Sequence, residues 1–193
     1  MKLRFLAPVL ALALTTIAAH AQIGLYFNPV VSRVSNSEAD TGPFAFLGDG
    51  QTSQIFGGVD FGGYYEFMHL AKADVSVDAR DAIQHGNNAS LNSFMVGPRL
   101  AAKPMAFGLK PYIQFAVGAG RTRPPLSNAH TTRLQYGIYG GLDKPLNKHV
   151  DWRIVEISYG SVSTISNSTF GIPPTIPAST VLGFSTGFVF LIR

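Results

Sequence analysis

From Ile55 to Phe67 the chain alternates strictly. Ile55, Gly57, Val59, Phe61, Gly63, Tyr65 and Phe67 fall on one parity, while Gly58, Asp60, Gly62 and Glu66 fall on the other. Period two predicts a strand, because successive side chains of a pleated chain leave opposite faces. The same pattern sets Ala73, Val75, Val77 and Ala79 against Lys72, Asp74, Ser76, Asp78 and Arg80. Phe94, Val96, Pro98 and Leu100 alternate with Gly97 and Arg99, and Ile113, Phe115, Val117 and Ala119 with Tyr112, Gln114, Gly118 and Gly120. Leu134, Tyr136, Ile138 and Leu142 oppose Gln135, Gly137, Gly141 and Asp143. Val150, Trp152 and Ile154 oppose Asp151 and Arg153; a bulge near Val155 would return Glu156 to the polar side. The first strand, Gln22 to Ser32, sets Ile23, Leu25, Phe27 and Val31 against Gly24 and Asn28. The last sets Leu182, Phe184, Phe188, Phe190 and Ile192 against Gly183, Ser185 and Gly187.

These patterns predict an all-β fold of eight strands. The connections Arg33–Gln54 and Ser161–Ser179 are long, Thr122–Thr132 is longer than its neighbours and Asp81–Ser90 is intermediate; Met68–Ala71, Lys103–Leu109 and Lys144–His149 are short. Gly42-Pro43, Gly48-Asp49-Gly50, Pro124-Pro125 and Pro173-Pro174 give the long ones turn chemistry. An even number of antiparallel strands with alternately long and short connections is the layout of an up-and-down transmembrane β-barrel. Ahead of them stand Lys2 and Arg4, an apolar stretch from Phe5 to Ile17, and Ala19-His20-Ala21. In that order they read as a secretory signal peptide over residues 1–21, cut before Gln22, with the barrel domain over 22–193.

Alternation alone does not say which face is the lumen, since a lipocalin-like barrel is apolar inside. The composition decides. Of the whole chain 46% is apolar and only 13% charged, against about 25% charged in an average soluble domain. The face carrying the charges is otherwise small, with Gly58, Gly62, Gly118, Gly120, Gly137, Gly141, Gly183 and Gly187. An eight-strand lumen is just wide enough for side chains to fill, so small and polar residues belong inside. The other face holds almost no charge; Arg33 and Arg121 fall on it only at strand ends. No helix pattern follows the eighth strand, as it would in a lipocalin. Removing Lys2 and Arg4 takes the formal net charge from +4 to +2, and there is no Lys/Arg cluster for nucleic acid. There is no cysteine.

The closing strand, Ser185-x-Gly187-x-x-Phe190-x-Ile192, resembles the assembly signal of outer-membrane barrels, with Arg193 following where an aromatic more often ends the chain. Trp152-Arg153-x-x-Glu156-x-x-Tyr159 is similar to the Arg-acid-Tyr pattern of their seventh strand. From Gln22 to Arg193 the chain resembles the small eight-stranded outer-membrane barrels of the OmpA/OmpX type. The resemblance implies an outer-membrane location, outer-membrane lipid around the wall, and the barrel-assembly machinery as a partner during insertion.

The expected lumen charges are Asp60, Glu66, Lys72, Asp74, Asp78, Arg80, Arg99, Arg153 and Glu156. Glu66, Asp74, Arg99 and Arg153 are placed at similar depth and, with Glu156, are expected to form a structural ion-pair network, because unpaired charges in a closed lumen are costly. The same pairs could instead gate a narrow channel for ions or small solutes. A lipid-modifying enzyme is a third reading, but no His-x-Ser occurs; His130-x-Thr132 sits in a connection, as do His69, His85 and His149. No cofactor or metal is expected from histidine spacing. Tyr64, Tyr65, Phe67, Tyr112, Trp152 and Phe190 lie near the periplasmic strand ends, as an aromatic girdle would, with lumen packing equally open for Tyr64 and Tyr112. Phe44, Phe46 and Leu47 in the first long connection, and Phe170, Ile172 and Ile176 in the last, could bind a surface partner or form a lid. The expected protein is a monomeric, non-enzymatic outer-membrane barrel with a filled lumen.

Overall fold

A computed structural model describes residues 22–166, 169, 171 and 177–192. The expected leader, Phe170, Ile172, Ile176 and Arg193 lie outside the described residues. Eight antiparallel strands form a closed barrel in chain order: β1 (Gln22–Ser35), β2 (Ser53–His69), β3 (Ala73–Gly86), β4 (Ala89–Ala102), β5 (Lys110–Arg123), β6 (Thr131–Pro145), β7 (Val150–Val162) and β8 (Ser179–Ile192). Pairing of β1 with β8, Phe27 opposite Phe188 and Val30 opposite Ser185, closes the wall and leaves no edge strand.

The parities sort as the pattern requires. Asn28, Asp60, Asp78, Arg80, Arg99 and Arg153 are buried inside, while Phe27, Phe94, Ile113, Phe115, Phe184 and Phe190 stand exposed on the outer wall. Soluble monomers rarely expose contiguous apolar patches larger than a few hundred Å²; an apolar band around a polar lumen is the wall of a membrane barrel. Tyr64 and Tyr112 are buried in the lumen, whereas Phe67, Trp152 and Phe190 face out near the periplasmic end. The strand pairing of β7 with β8 shifts between Arg153 and Glu156, the expected bulge, and both charges point inward.

Two features depart from the sequence reading. The connection expected over Asp81–Ser90 is a hairpin turn at Asn87 and Asn88 only, both with positive φ (47° and 61°). Asparagine tolerates that conformation, and two such residues match the twist of the flanking strands. Asp81, Gln84, His85 and the Gly86-Asn87-Asn88 run give residues 81–88 the look of a loop, yet residues 81–86 extend β3. Asp81 therefore lies within the strand, between Phe61 of β2 and Phe94 of β4, on the outward parity. The second departure is a bulge in β2 between Glu66 and Met68.

Lumen glycines make room for tyrosines. A Cβ on Gly62 would stand 2.6 Å from Tyr26 Oη, one on Gly24 2.6 Å from Tyr64 Oη, and one on Gly141 2.5 Å from Tyr112 Oη. Each ring therefore lies across a neighbouring strand where only glycine fits.

The outer mouth is closed by the β1–β2 connection. Gly42 (φ 87°), Gly48 (φ 101°) and Gly50 (φ 67°) supply its turns, and Asp49 Oδ1 accepts from Gly42 N at 2.8 Å. This folds Ala45, Phe46 and Leu47 into the barrel, where they are buried. Phe46 stacks on Phe56 at 5.2 Å, beside Val34, Leu91, Val162 and Ile165. Ile165 N donates to Thr122 Oγ1 at 2.9 Å, drawing in the start of the last connection. Of the two roles open for these hydrophobics, Phe46 and Leu47 take that of a lid.

Candidate functional site in the lumen

Below the lid lies a cavity of about 40 Å³, lined by Asp60, Gln84, Ser93, Gln135, Ser158 and Ser185 among others. Since a water needs about 10–15 Å³, it has room for about three waters. Its floor is Arg80. The guanidinium donates to both oxygens of Glu156 at 3.1 Å each, to Asp60 Oδ2 at 3.3 Å, to Asp78 Oδ1 at 3.4 Å and to Gln114 Oε1 at 2.9 Å. Its plane lies 3.8 Å from the Tyr139 ring centroid. A planar fork with five donors is suited to such a crossing point. Tyr26 Oη and Gln114 Nε2 donate to Asp78 at 2.9 and 2.8 Å.

A second layer lies toward the periplasm. Arg153 Nε donates to Asp143 Oδ1 at 3.0 Å, and Arg153 Nη1 is 3.5 Å from Glu156 Oε2. Arg99 Nη2 donates to Asp143 Oδ2 at 3.0 Å. The Tyr112 ring has both guanidiniums over it, at 4.3 Å for Arg99 and 4.8 Å for Arg153, and its hydroxyl donates to Glu156 at 2.6 Å. Glu156 thus joins the two layers, with Ser185 Oγ donating to it at 3.3 Å. The bulge in β7 makes this joint possible by turning Arg153 and Glu156 to the same side.

The expected grouping changes in composition. Glu66, Asp74, Arg99 and Arg153 do not pair with one another. Arg99 and Arg153 share Asp143, and Glu156 pairs with Arg153 and Arg80. Asp74 sits at the periplasmic rim, bonded by Lys103 Nζ and by His69 Nδ1, the latter at 2.7 Å. Glu66 has no hydrogen bond or ion pair among the described residues. Depth along a strand does not set partners; the azimuth around the barrel does, and it places β3 across the lumen from β7. That is why Arg80, expected inside but not in the network, is its centre. Tyr26, Asp143, Gln114 and Tyr139 complete it. Tyr26 and Gln114 carry no charge that would have drawn attention, and Asp143 was visible only as an inward parity.

Of the expected assembly residues, Ser185 is buried in the lumen and Gly187 packs against Asn28, whose Oδ1 and Cα a Cβ at 187 would strike. Phe190 and Ile192 face outward and are exposed. Histidines 69, 85, 130 and 149 lie at strand ends or in connections. At the periplasmic rim one ligand atom each of Glu66, His69 and Asp74 lies within 4.8 Å of the others, a juxtaposition across a hairpin that histidine spacing does not show.

No protein-family model matches the sequence, and comparison with curated proteins gives no match. Solved structures do match. Neisserial surface protein A is similar with a TM-score of 0.58 at 12% identity, over 87% of this chain and 96% of that one. Ail, the attachment invasion locus protein of Yersinia pestis, is similar with a TM-score of 0.50 at 10% identity, over 89% and 97%. At such identity the likeness is one of fold. The lipid-facing wall, the filled lumen and these neighbours agree: the chain has the fold of the small eight-stranded outer-membrane β-barrels.

Proposed function

We propose that this protein is a non-enzymatic outer-membrane barrel whose lumen is a structural plug and whose role is played at the cell surface. One observation carries the reading: the lumen is crossed at two levels, by the apolar lid of Phe46 and Leu47 and by Arg80 with its carboxylates. A barrel so filled gains rigidity from its interior and presents its outer connections to other molecules. Phe46 and Leu47 are turned inward, so what the β1–β2 connection offers outward is mostly polar: Ser37, Glu38, Thr41, Asp49 and Gln51, with Ala39 and Pro43 among them. The two similar structures are those of a surface protein and an attachment invasion protein, which supports looking for the role at the surface.

The test is single-channel recording in planar bilayers with the folded barrel. The expected result is no discrete conductance at ordinary holding potentials. Stepwise conductance that survives repurification would overturn the plug in favour of a narrow channel. Lipid mass spectra from a deletion strain, expected to be unchanged, would expose a lipid-modifying activity if a modified species disappeared.

A further inference from the structure

We propose that Glu66, His69 and Asp74 form a divalent transition-metal site at the periplasmic rim. Glu66 and His69 are three residues apart, and in a regular strand that spacing sends side chains to opposite faces. The bulge between Glu66 and Met68 inserts the extra residue that brings His69 round to the side of Glu66. His69 is then cross-strand partner to Asp74, on the lumen parity of β3. The result is one imidazole nitrogen and two carboxylate oxygens within 4.8 Å of one another. Three ligands on one ion at about 2.1 Å stand about 3.0–3.6 Å from one another, so side-chain shifts of about an ångström close the set.

A second observation points to a cation there. Glu66 is only 8% exposed, and no donor or counter-charge among the described residues contacts its carboxylate. Its oxygens reach solvent only through a cavity at the rim, and a carboxylate in so buried a residue is better held by a partner than by that little water. Glu66 lines this cavity of about 50 Å³ together with Asp74, Arg99, Lys110, Asp143 and Asp151. Of the cations in that cavity, Lys110 bonds Asp151 at 2.8 Å and Arg99 gives its Nη2 to Asp143 at 3.0 Å. Arg99 Nε and Nη1 have no hydrogen-bond partner among the described residues, yet neither makes a hydrogen bond or ion pair with Glu66. Among the described residues, Lys103, bonded to Asp74, is a cation the metal must displace. The ligand set of one nitrogen and two oxygens suits Zn²⁺, Mn²⁺, Fe²⁺ or Co²⁺ and falls short of the six to eight oxygens that Ca²⁺ takes.

The experiment uses the full folded barrel in detergent micelles at fixed pH. Zn²⁺ binding is followed by calorimetry and Mn²⁺ binding by electron paramagnetic resonance. One ion per chain is expected. Glu66→Gln and His69→Ala should each weaken binding at least about tenfold, and Lys103→Gln should tighten it by removing the competitor. His85→Ala and His149→Ala should leave it unchanged. Because His69 is at the exposed rim, its variant tests the site even if the Glu66 variant folds poorly. No saturable binding at millimolar metal, or binding that His69→Ala leaves intact, overturns the proposal.

Discussion

Replacing Arg80 with methionine keeps the unbranched stem as far as the position of Nε and removes the guanidinium with its charge. The surrounding contacts show where the cost falls. Glu156 would still receive Tyr112 Oη at 2.6 Å, Ser185 Oγ at 3.3 Å and the Arg153 guanidinium at 3.5 Å. Asp78 would keep Tyr26 and Gln114. Among the described residues Asp60 would keep nothing: its Oδ2 accepts only from Arg80, and its Oδ1 has no partner. Removing one member of a buried ion pair costs about 3–5 kcal/mol, because the other charge is left uncompensated, and here nearly all of that cost resides at Asp60. Adding Asp60→Asn should therefore recover about 1–3 kcal/mol, the range of coupling within one network. The assay is urea unfolding of the barrel in detergent, under conditions where folding and unfolding curves coincide. With a slope of about 1–3 kcal/mol/M, Arg80→Met should lower the midpoint by at least about 1 M. A shift under about 0.3 M, or no recovery in the double variant, would refute both the magnitude and its assignment to Asp60.

Three further outcomes are expected. Gly141→Ala places a Cβ 2.5 Å from the Tyr112 ring, and should destabilise by about 1–3 kcal/mol as overpacking does, read from the same urea curves. Phe46→Ala removes a ring that is 1% exposed and stacked on Phe56; it should cost about 3–5 kcal/mol yet yield no conductance alone, since Arg80 still crosses the lumen. Asp81→Leu replaces a carboxylate on the outward face between Phe61 and Phe94; it should stabilise the barrel by about 1–2 kcal/mol in lipid vesicles, because a charge on that face is unfavourable, and an unchanged or lower midpoint would show that Asp81 meets something other than acyl chains.

The sequence carried the wall of the barrel well because every strand repeats one constraint: a charge on the wrong parity meets lipid. That constraint exposed even the β7 bulge, since Arg153 and Glu156 are both charged and three apart. It was silent on the β2 bulge, where Phe67 and Met68 are both apolar and either parity is tolerable. It misplaced Asp81, because residues 81–88 are mostly polar and the strand breaks the very rule used to find strands. Partnership across the lumen was not legible at all. The contact of Arg80 with Glu156 joins residues 76 apart in the chain, and it exists only because the closed sheet brings β3 to face β7. Tyr26 and Tyr139 were invisible for a related reason: a lumen tyrosine is recognised by the glycine or guanidinium beside it, and those neighbours come from other strands.

The Asn87-Asn88 turn has a meaning beyond the strand boundary it moves. The β1–β2 connection spans 36–52, while β3 and β4 meet across two residues. Viewed from outside the cell, the chain between β1 and β2 is long and turns back over the mouth, while the wall between β3 and β4 ends at a two-residue turn. A tag inserted at Gln51 would stand clear for an antibody on intact cells, whereas the same tag at Asn88 would sit close to the membrane, within the layer of lipid headgroups and sugars. A surface partner of the kind proposed above would find more chain to touch beside β1 and β2 than beside the turn of β3 and β4.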